Sequence, residues 1–424
     1  MDNLAFLPIW QSLSLQDKDF TKMGNNADTG TTERVSARTW AAVFSMSLGV
    51  FGLVGAEFLP ASLLTSMASE LGITEGMAGQ AVTATAIMGM ISGLTVASVT
   101  GSIDRRHVLL GFSLLLVISN VVVAGAQNIY ILLLGRLLLG VALGGFWALS
   151  TALVMRMVPQ DSVPKALAIV VSGVSAATIF AAPVGSYVGD IWGWRAVFAG
   201  AAVLGLITFM VQLTVLPSLP PRGRARIGTI FTLLARPGIG LAMIAVLLVF
   251  TGHMSMFTYV RPYLETVADV GVIGISSALL AFGIANFLGN YIGGFMVSRS
   301  LRLTLGIVPL AIAAMAFLLV AIGGSYLTAL ILIIVWGLAF GTVPVAWSTW
   351  VSRSVSDEAE SGGGLLVAAI NFAIATGAAV GGLILDLSGI ESVFITNGIV
   401  LVLAAGTVAL GVGAVRSKPA MAQS

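Results

Sequence analysis

Residues 40–66, WAAVFSMSLGVFGLVGAEFLPASLLTS, carry a single charged side chain, Glu57. A helix crosses the hydrocarbon core of a bilayer with about 20 apolar residues, and this stretch supplies them. Eleven more segments read the same way, at 78–101, 108–127, 129–154, 164–189, 197–216, 238–260, 273–297, 303–323, 326–350, 363–386 and 392–415. Away from their ends, these twelve segments hold one further charge, Arg136 in the fourth. An ionised group at the bilayer centre costs about 2.5–3.5 kcal/mol or more, so a charge kept there points to function.

The chain is 58% hydrophobic and 9% charged over 424 residues. A soluble core does not hide that much apolar surface, so lipid covers it. The short alternating strands of an outer-membrane barrel are missing from the pattern. The expected fold class is an all-α membrane protein with twelve transmembrane helices. Counting from a cytoplasmic N-terminus, Arg195 and Arg261 fall on the outer side, Arg136 lies in the membrane, and the other Lys and Arg fall on the inner side. The positive-inside rule then puts both termini in the cytoplasm.

A constant shift of 197 residues maps Gly55 onto Gly252, Gly140 onto Gly337, Gly144 onto Gly341 and Gly185 onto Gly382. The same shift maps Arg105 onto Arg302 and Arg156 onto Arg353. An internal repeat of six spans, each copy entering the membrane in the same orientation, is the reading. The expected organisation is a disordered cytoplasmic tail at 1–38, a six-helix bundle at 39–216, a basic linker at 217–236 with Arg222, Arg224 and Arg226, a second bundle at 237–415, and a tail at 416–424. Leu4–Trp10 has neither a preceding basic region nor a cleavage site, so no signal peptide is read, and Met23 is an alternative start.

The repeat does not extend to the two intramembrane charges. Glu57 maps onto Met254 and Arg136 onto Ile333. His253, beside the counterpart of Glu57, is the titratable intramembrane group of the second bundle. At 1.5 Å per residue, Glu57 lies roughly 15 Å and Arg136 roughly 10 Å below the outer surface. Those depths suit a pair, direct or through water, whose proton affinity changes with conformation. Glu57, Arg136 and His253 are the expected proton-coupling residues. The alternative for Arg136 is a purely structural role, and for His253 a neutral imidazole hydrogen-bonded in the bundle.

The fifth segment contains Pro183, Gly185 and Gly189. Proline removes a helical hydrogen bond, and glycines four apart let helices approach closely, so the three residues are the expected hinge. The turn at Asp104–Arg105 is an expected gating lock on the cytoplasmic side, or a short basic turn and no more.

Several function classes are excluded. With no cysteine and two distant histidines, His107 and His253, neither a disulfide nor a metal site is expected. No Gly-x-x-x-x-Gly-Lys stretch exists to bind ATP, and no Ser/His/Asp set suggests an enzyme. No cofactor and no nucleic acid is expected, and the chain is expected to be a monomer. By depth, Asn286, Asn290, Trp336 and Asn371 fall near the midplane. Phe257 and Tyr259 lie towards one end, with Trp147 and Trp347 towards the other. Amides beside aromatic faces suit a neutral, planar, hydrogen-bonding solute, since a base stacked on an aromatic ring gains about 1–3 kcal/mol. These eight are the expected substrate-binding residues, and a nucleoside fits them.

Three motifs carry a resemblance. Ala182-Pro183-Val184-Gly185 followed by Gly193-Trp194-Arg195-Ala196-Val197-Phe198, Arg136-x-x-x-Gly140, and Glu57-x-x-Pro60 resemble the twelve-span drug/proton antiporter branch of the major facilitator superfamily. The turn Gly101-Ser102-Ile103-Asp104-Arg105-Arg106-His107 departs from that family's pattern, being shorter and lacking the second glycine. Within the branch, Leu143–Ala148, Phe257–Pro262 and Val343–Trp350 look like the bacterial exporters of purine ribonucleosides. The resemblance implies two pseudo-symmetric six-helix bundles in a bacterial inner membrane. It also implies proton-coupled antiport of inosine- or guanosine-like nucleosides by alternating access. The alternatives are a sugar or multidrug exporter of the same branch, or a non-transporting membrane sensor.

Overall fold

The computed structural model describes residues 36–220, 232–355 and 358–412. The expected tails up to residue 35 and from 416 on, the alternative start at Met23, and Arg222, Arg224 and Arg226 of the linker lie outside the described residues, while Ala37 and Arg38, expected in the disordered tail, are already helical. Within them, eleven helices are long and apolar enough to cross a membrane. They are α1 (Ala37–Leu71), α2 (Glu75–Val99), α3 (Arg105–Ala124), α4 (Ile129–Met157), α5 (Val163–Trp192), α6 (Trp194–Val215), α7 (Ile239–Thr258), α8 (Val272–Ile322), α9 (Tyr326–Ser354), α10 (Ala359–Ser388) and α11 (Ile390–Thr407). A short helix, Val260–Thr266, follows α7.

With 51 residues, α8 is long enough to cross twice, and at Ser300 its backbone turns extended (φ −161°, ψ 103°). The eighth and ninth segments are therefore two arms meeting at one residue, where a loop was expected between 297 and 303. No proline or glycine occupies 298–302 to unwind the turns on either side. The count of crossings remains twelve, with α9–α11 as the tenth to twelfth.

Side-chain caps fix the starts of several helices. Thr74 accepts from the N–H of Met77 at 3.1 Å, Asn128 from Ile131 at 3.1 Å, and Asp104 from Arg106 at 2.8 Å, each satisfying a donor that the first turn leaves open. Gly193, between α5 and α6, and Gly389, between α10 and α11, hold φ at +81° and +80°. A side chain at either position would strain that backbone.

The duplication is visible atom against atom. A Cβ on Gly140 would sit 2.3 Å from Thr85 O, and one on Gly144 2.0 Å from Gly89 O, where α4 crosses α2. A Cβ on Gly337 would sit 2.7 Å from Phe282 O, and one on Gly341 2.1 Å from Asn286 O, where α9 crosses α8. Every residue of the first set moves onto the second by 197 positions. Glycine there brings backbones together, which is how helices associate in a solvent as apolar as their own side chains. The two six-helix bundles face each other through α2 against α10 and α5 against α8.

Candidate functional site

Glu57 and Pro60 share α1, three residues apart. Proline has no N–H, so Ala56 O loses its helical donor. Arg136, fully buried on α4, supplies one: Nη1 donates to Ala56 O at 2.8 Å, while Nη2 reaches Glu57 O and Nε reaches Ala81 O, each at 3.3 Å. Thr85 Oγ1 donates back to Arg136 O at 3.2 Å. The guanidinium thereby ties α1, α2 and α4 together through main-chain carbonyls. Among the described residues, no hydrogen bond or ion pair joins it to the Glu57 carboxylate. That half-buried carboxylate is left without a protein partner, within reach of a charge already committed to backbone.

His253 is 2% exposed on α7 and accepts a hydrogen bond at Nδ1 from Trp336 Nε1, at 3.1 Å. Phe340 stacks on it with ring centroids 3.2 Å apart and planes 7° from parallel, and Phe257 and Phe282 close the surround. Phe257 in turn meets Phe58 of α1 edge-on at 5.5 Å, so the aromatic cluster reaches the seam beside Glu57. Phe58, Phe282 and Phe340 were not among the expected residues. His253–Phe257 and Trp336–Phe340 are both i,i+4 pairs, a spacing that puts each pair on one helix face and would have found Phe340.

The other expected binding residues scatter. Asn371 is buried on α10, with its Oδ1 beside Gly89 of α2 across the seam. Asn286 and Asn290 are half-buried on α8, and Asn290 donates to Asn286 O at 3.4 Å. Trp147 is half-buried on α4. Trp347 is buried inside the second bundle, beside a small void lined by Val249, Val308 and Thr342. Tyr259 is fully buried; its hydroxyl donates to Ala378 O at 2.6 Å, and its ring lies against Gly79 of α2 and Gly382 of α10. Of the expected hinge, Gly185 and Gly189 seat α5 on Leu59, Ser62 and Leu63 of α1, and Pro183 is buried on the same helix.

On the face opposite the start of α1, a clamp joins the bundles. Arg261, 4% exposed, donates from Nε to Glu265 Oε1 at 2.7 Å and from Nη1 to Ser62 O and to Ser186 Oγ. Glu265 also accepts from Thr65 Oγ1 at 2.6 Å. Beside them, Asp386 of α10 accepts from Thr74 Oγ1 at 2.7 Å and from the N–H of Gly76 at 3.2 Å, capping α2 from the other bundle. Sequence depth placed Arg261 in a loop. Its burial comes from the facing bundle, which no count along one helix registers.

On the opposite face, Asp104 and Arg105 make their polar contacts within the first bundle. Asp104 accepts from Ser218 Oγ and from the N–H of Leu219 at 2.9 Å. Arg105 donates to Thr100 O at 2.9 Å and to its hydroxyl at 2.7 Å. Burial pushes the Asp104 carboxyl up, but the hydrogen bonds from Ser218, Leu219 and Arg106, with His107 nearby, outweigh it and hold the carboxyl below the usual range. The two residues anchor the segment after α6 and do not pair with each other.

Residues 46–365 match the sequence profile of the Major Facilitator Superfamily. The chain is 44% identical over 385 residues, 91% of its length and 97% of the relative's, to the purine ribonucleoside efflux pump NepI of Salmonella enteritidis PT4. It is 42% identical over 379 residues, 89% of its length and 96% of the relative's, to the protein of that name in Escherichia coli K12. Among solved structures, it resembles a bacterial homolog of the human lysosomal transporter Spinster in an inward-facing, unoccupied conformation. That match has a TM-score of 0.74 and 14% identity, and covers 90% of this chain and 99% of the other.

Proposed function

The chain belongs to the Major Facilitator Superfamily, and we propose that it exports purine ribonucleosides from a bacterial cytoplasm across the inner membrane in exchange for protons. Identity of 44% across nearly the whole length of a pump of that name supports the substrate class. The observation that carries the coupling is the Glu57 carboxylate, held in the bilayer half-buried and, among the described residues, without a protein partner. A carboxylate fixed by a permanent ion pair would have its charge answered in every state. One beside a guanidinium that is already bound to carbonyls stays free to take up a proton when the site faces the acidic side and to release it on the other.

With the termini cytoplasmic, the clamp of Arg261, Glu265 and Asp386 closes the outer face. On this reading a nucleoside enters the seam from the cytoplasm. Export then requires the clamp to part while the inner ends of the bundles close, a rocking motion about the seam. Glu57 on α1 and the aromatic cluster on α7 and α9 meet at Phe58 and Phe257, so proton site and base-stacking surface adjoin.

The test is movement of radiolabelled inosine in proteoliposomes with and without an imposed pH gradient. Gradient-dependent accumulation supports the reading. Accumulation indifferent to the gradient removes the proton, and no inosine movement by folded protein removes the substrate.

A further inference from the structure

The Trp336–His253 hydrogen bond fixes more than packing. An indole N–H is a donor with no acceptor site, so the Nδ1 that receives it presents a lone pair, and the single proton of the ring sits on Nε2. Stacking by Phe340 and the flanking Phe257 and Phe282 holds the plane of the ring. Tautomer and orientation are therefore both set before any ligand arrives. Among the described residues, nothing accepts from Nε2–H. His253 keeps 2% of its surface exposed, so the ring is not wholly sealed off. A donor fixed in direction and unpaired among aromatic rings is the arrangement that reads a flat heterocycle by one acceptor.

We propose that His253 is a specificity-determining residue, donating from Nε2 to the 6-oxo oxygen of a purine, and that Trp336 is the positioning residue that sets its tautomer. The inference rests on the nucleoside reading above. Inosine and guanosine offer two adjacent acceptors, O6 and N7, on that edge, whereas adenosine offers N7 beside a donating 6-amino group. A fixed donor favours the former and opposes the latter. A histidine free to change tautomer would accept either. No carboxylate touches the ring among the described residues, so the discrimination needs no change of charge.

The experiment measures competition by unlabelled inosine and adenosine in proteoliposomes for wild type, Trp336→Phe, His253→Leu and His253→Gln. It is paired with 15N spectra of histidine-labelled protein carrying His107→Gln, which leaves one histidine signal. Wild type is expected to favour inosine and to show the Nε2–H tautomer. Trp336→Phe frees the tautomer and reduces the inosine-to-adenosine preference about tenfold, the effect of one neutral hydrogen bond. His253→Leu loses the preference through a higher KM for inosine. His253→Gln, which keeps an N–H near the same place, retains most of it. A preference unchanged in both Trp336→Phe and His253→Leu while inosine still moves overturns this assignment alone, as does an Nδ1–H tautomer in the wild-type spectrum. Wild-type protein that binds neither nucleoside overturns the nucleoside reading and this assignment with it.

Discussion

Arg136 donates at 2.8 Å to Ala56 O, the carbonyl that Pro60 leaves without its helical donor. The two residues are 76 positions apart and on different helices, and each makes sense of the other. Proline in a membrane helix exposes a carbonyl that water cannot reach, and the bilayer tolerates it only where another group satisfies it. A guanidinium has five N–H donors, and here three directions of it are taken by Ala56, Glu57 and Ala81 carbonyls. The proline that loosens α1 one turn after Glu57 and the arginine that holds it are one device.

If so, the two residues are energetically coupled. Arg136→Ala is expected to lower stability by about 2–3 kcal/mol, the cost of leaving buried carbonyls unmet. In a Pro60→Ala background, where the main-chain N–H of residue 60 again serves Ala56 O, the same substitution costs less by about 1 kcal/mol. A double-mutant cycle on thermal unfolding in detergent measures the difference. Strict additivity would mean that Arg136 is held by something other than the freed carbonyl.

Glu57→Gln preserves shape and hydrogen-bonding capacity and removes the titratable group. Uphill nucleoside movement driven by a pH gradient is expected to disappear, while exchange of inosine for inosine in the absence of a gradient persists. Because Arg136 bonds to the backbone and not to the carboxylate, the substitution leaves the α1–α2–α4 tie in place, and the thermal transition is expected to stay within about 0.5 kcal/mol of wild type. Full uphill transport by the Gln protein would take Glu57 out of coupling.

The clamp makes a prediction about conformation. Arg261 and Glu265 grip α1 at Ser62 and Thr65 from the other bundle, so Arg261→Ala shifts the population towards a state open on that face. The chain has no cysteine, and Met77 and Leu387 are both exposed, on α2 and α10. Spin labels at Met77→Cys and Leu387→Cys are expected to give one short distance in the parent, with a longer component added by Arg261→Ala. A distance distribution unmoved by Arg261→Ala would show that the clamp does not hold the bundles together.

What the sequence disclosed and what it withheld follow from what kinds of group make each contact. The twelve spans were legible because lipid demands long apolar runs, and the repeat was legible because close backbone crossings demand glycine at matching positions. The partner of Arg136 was not, since the atom it binds is a main-chain carbonyl and every residue has one. Sequence depth put Glu57 and Arg136 at similar levels, and the contact seen between them runs through the Glu57 main-chain carbonyl. Arg261 was misread as a loop residue because its burial is made by Ser62 and Ser186, far away along the chain. His253 and Trp336 were each singled out for separate reasons, and only the fold shows that one donates to the other. The boundary around Ser300 was legible between the segments ending at 297 and starting at 303, but its narrowing to one extended residue was not, for an extended φ is open to any residue.

The paired glycines give the last test. A methyl group on Gly144 would meet Gly89 O at 2.0 Å, and one on Gly341 would meet Asn286 O at 2.1 Å, both main-chain atoms that cannot swing aside. Gly144→Ala and Gly341→Ala are each expected to force their crossing apart and to cost about 1–3 kcal/mol. Gly294 and Gly306 lie in the same kind of helix with nothing within 4 Å of an added Cβ. Alanine there is expected to be neutral, or to stabilise by about 0.5–1 kcal/mol through reduced backbone freedom. Thermal unfolding of the four single variants separates the two groups. Because positions 144 and 341 are counterparts 197 residues apart, their losses are expected to be alike. A large loss at 144 with none at 341 would mean that the duplicated seam bears load in one bundle only.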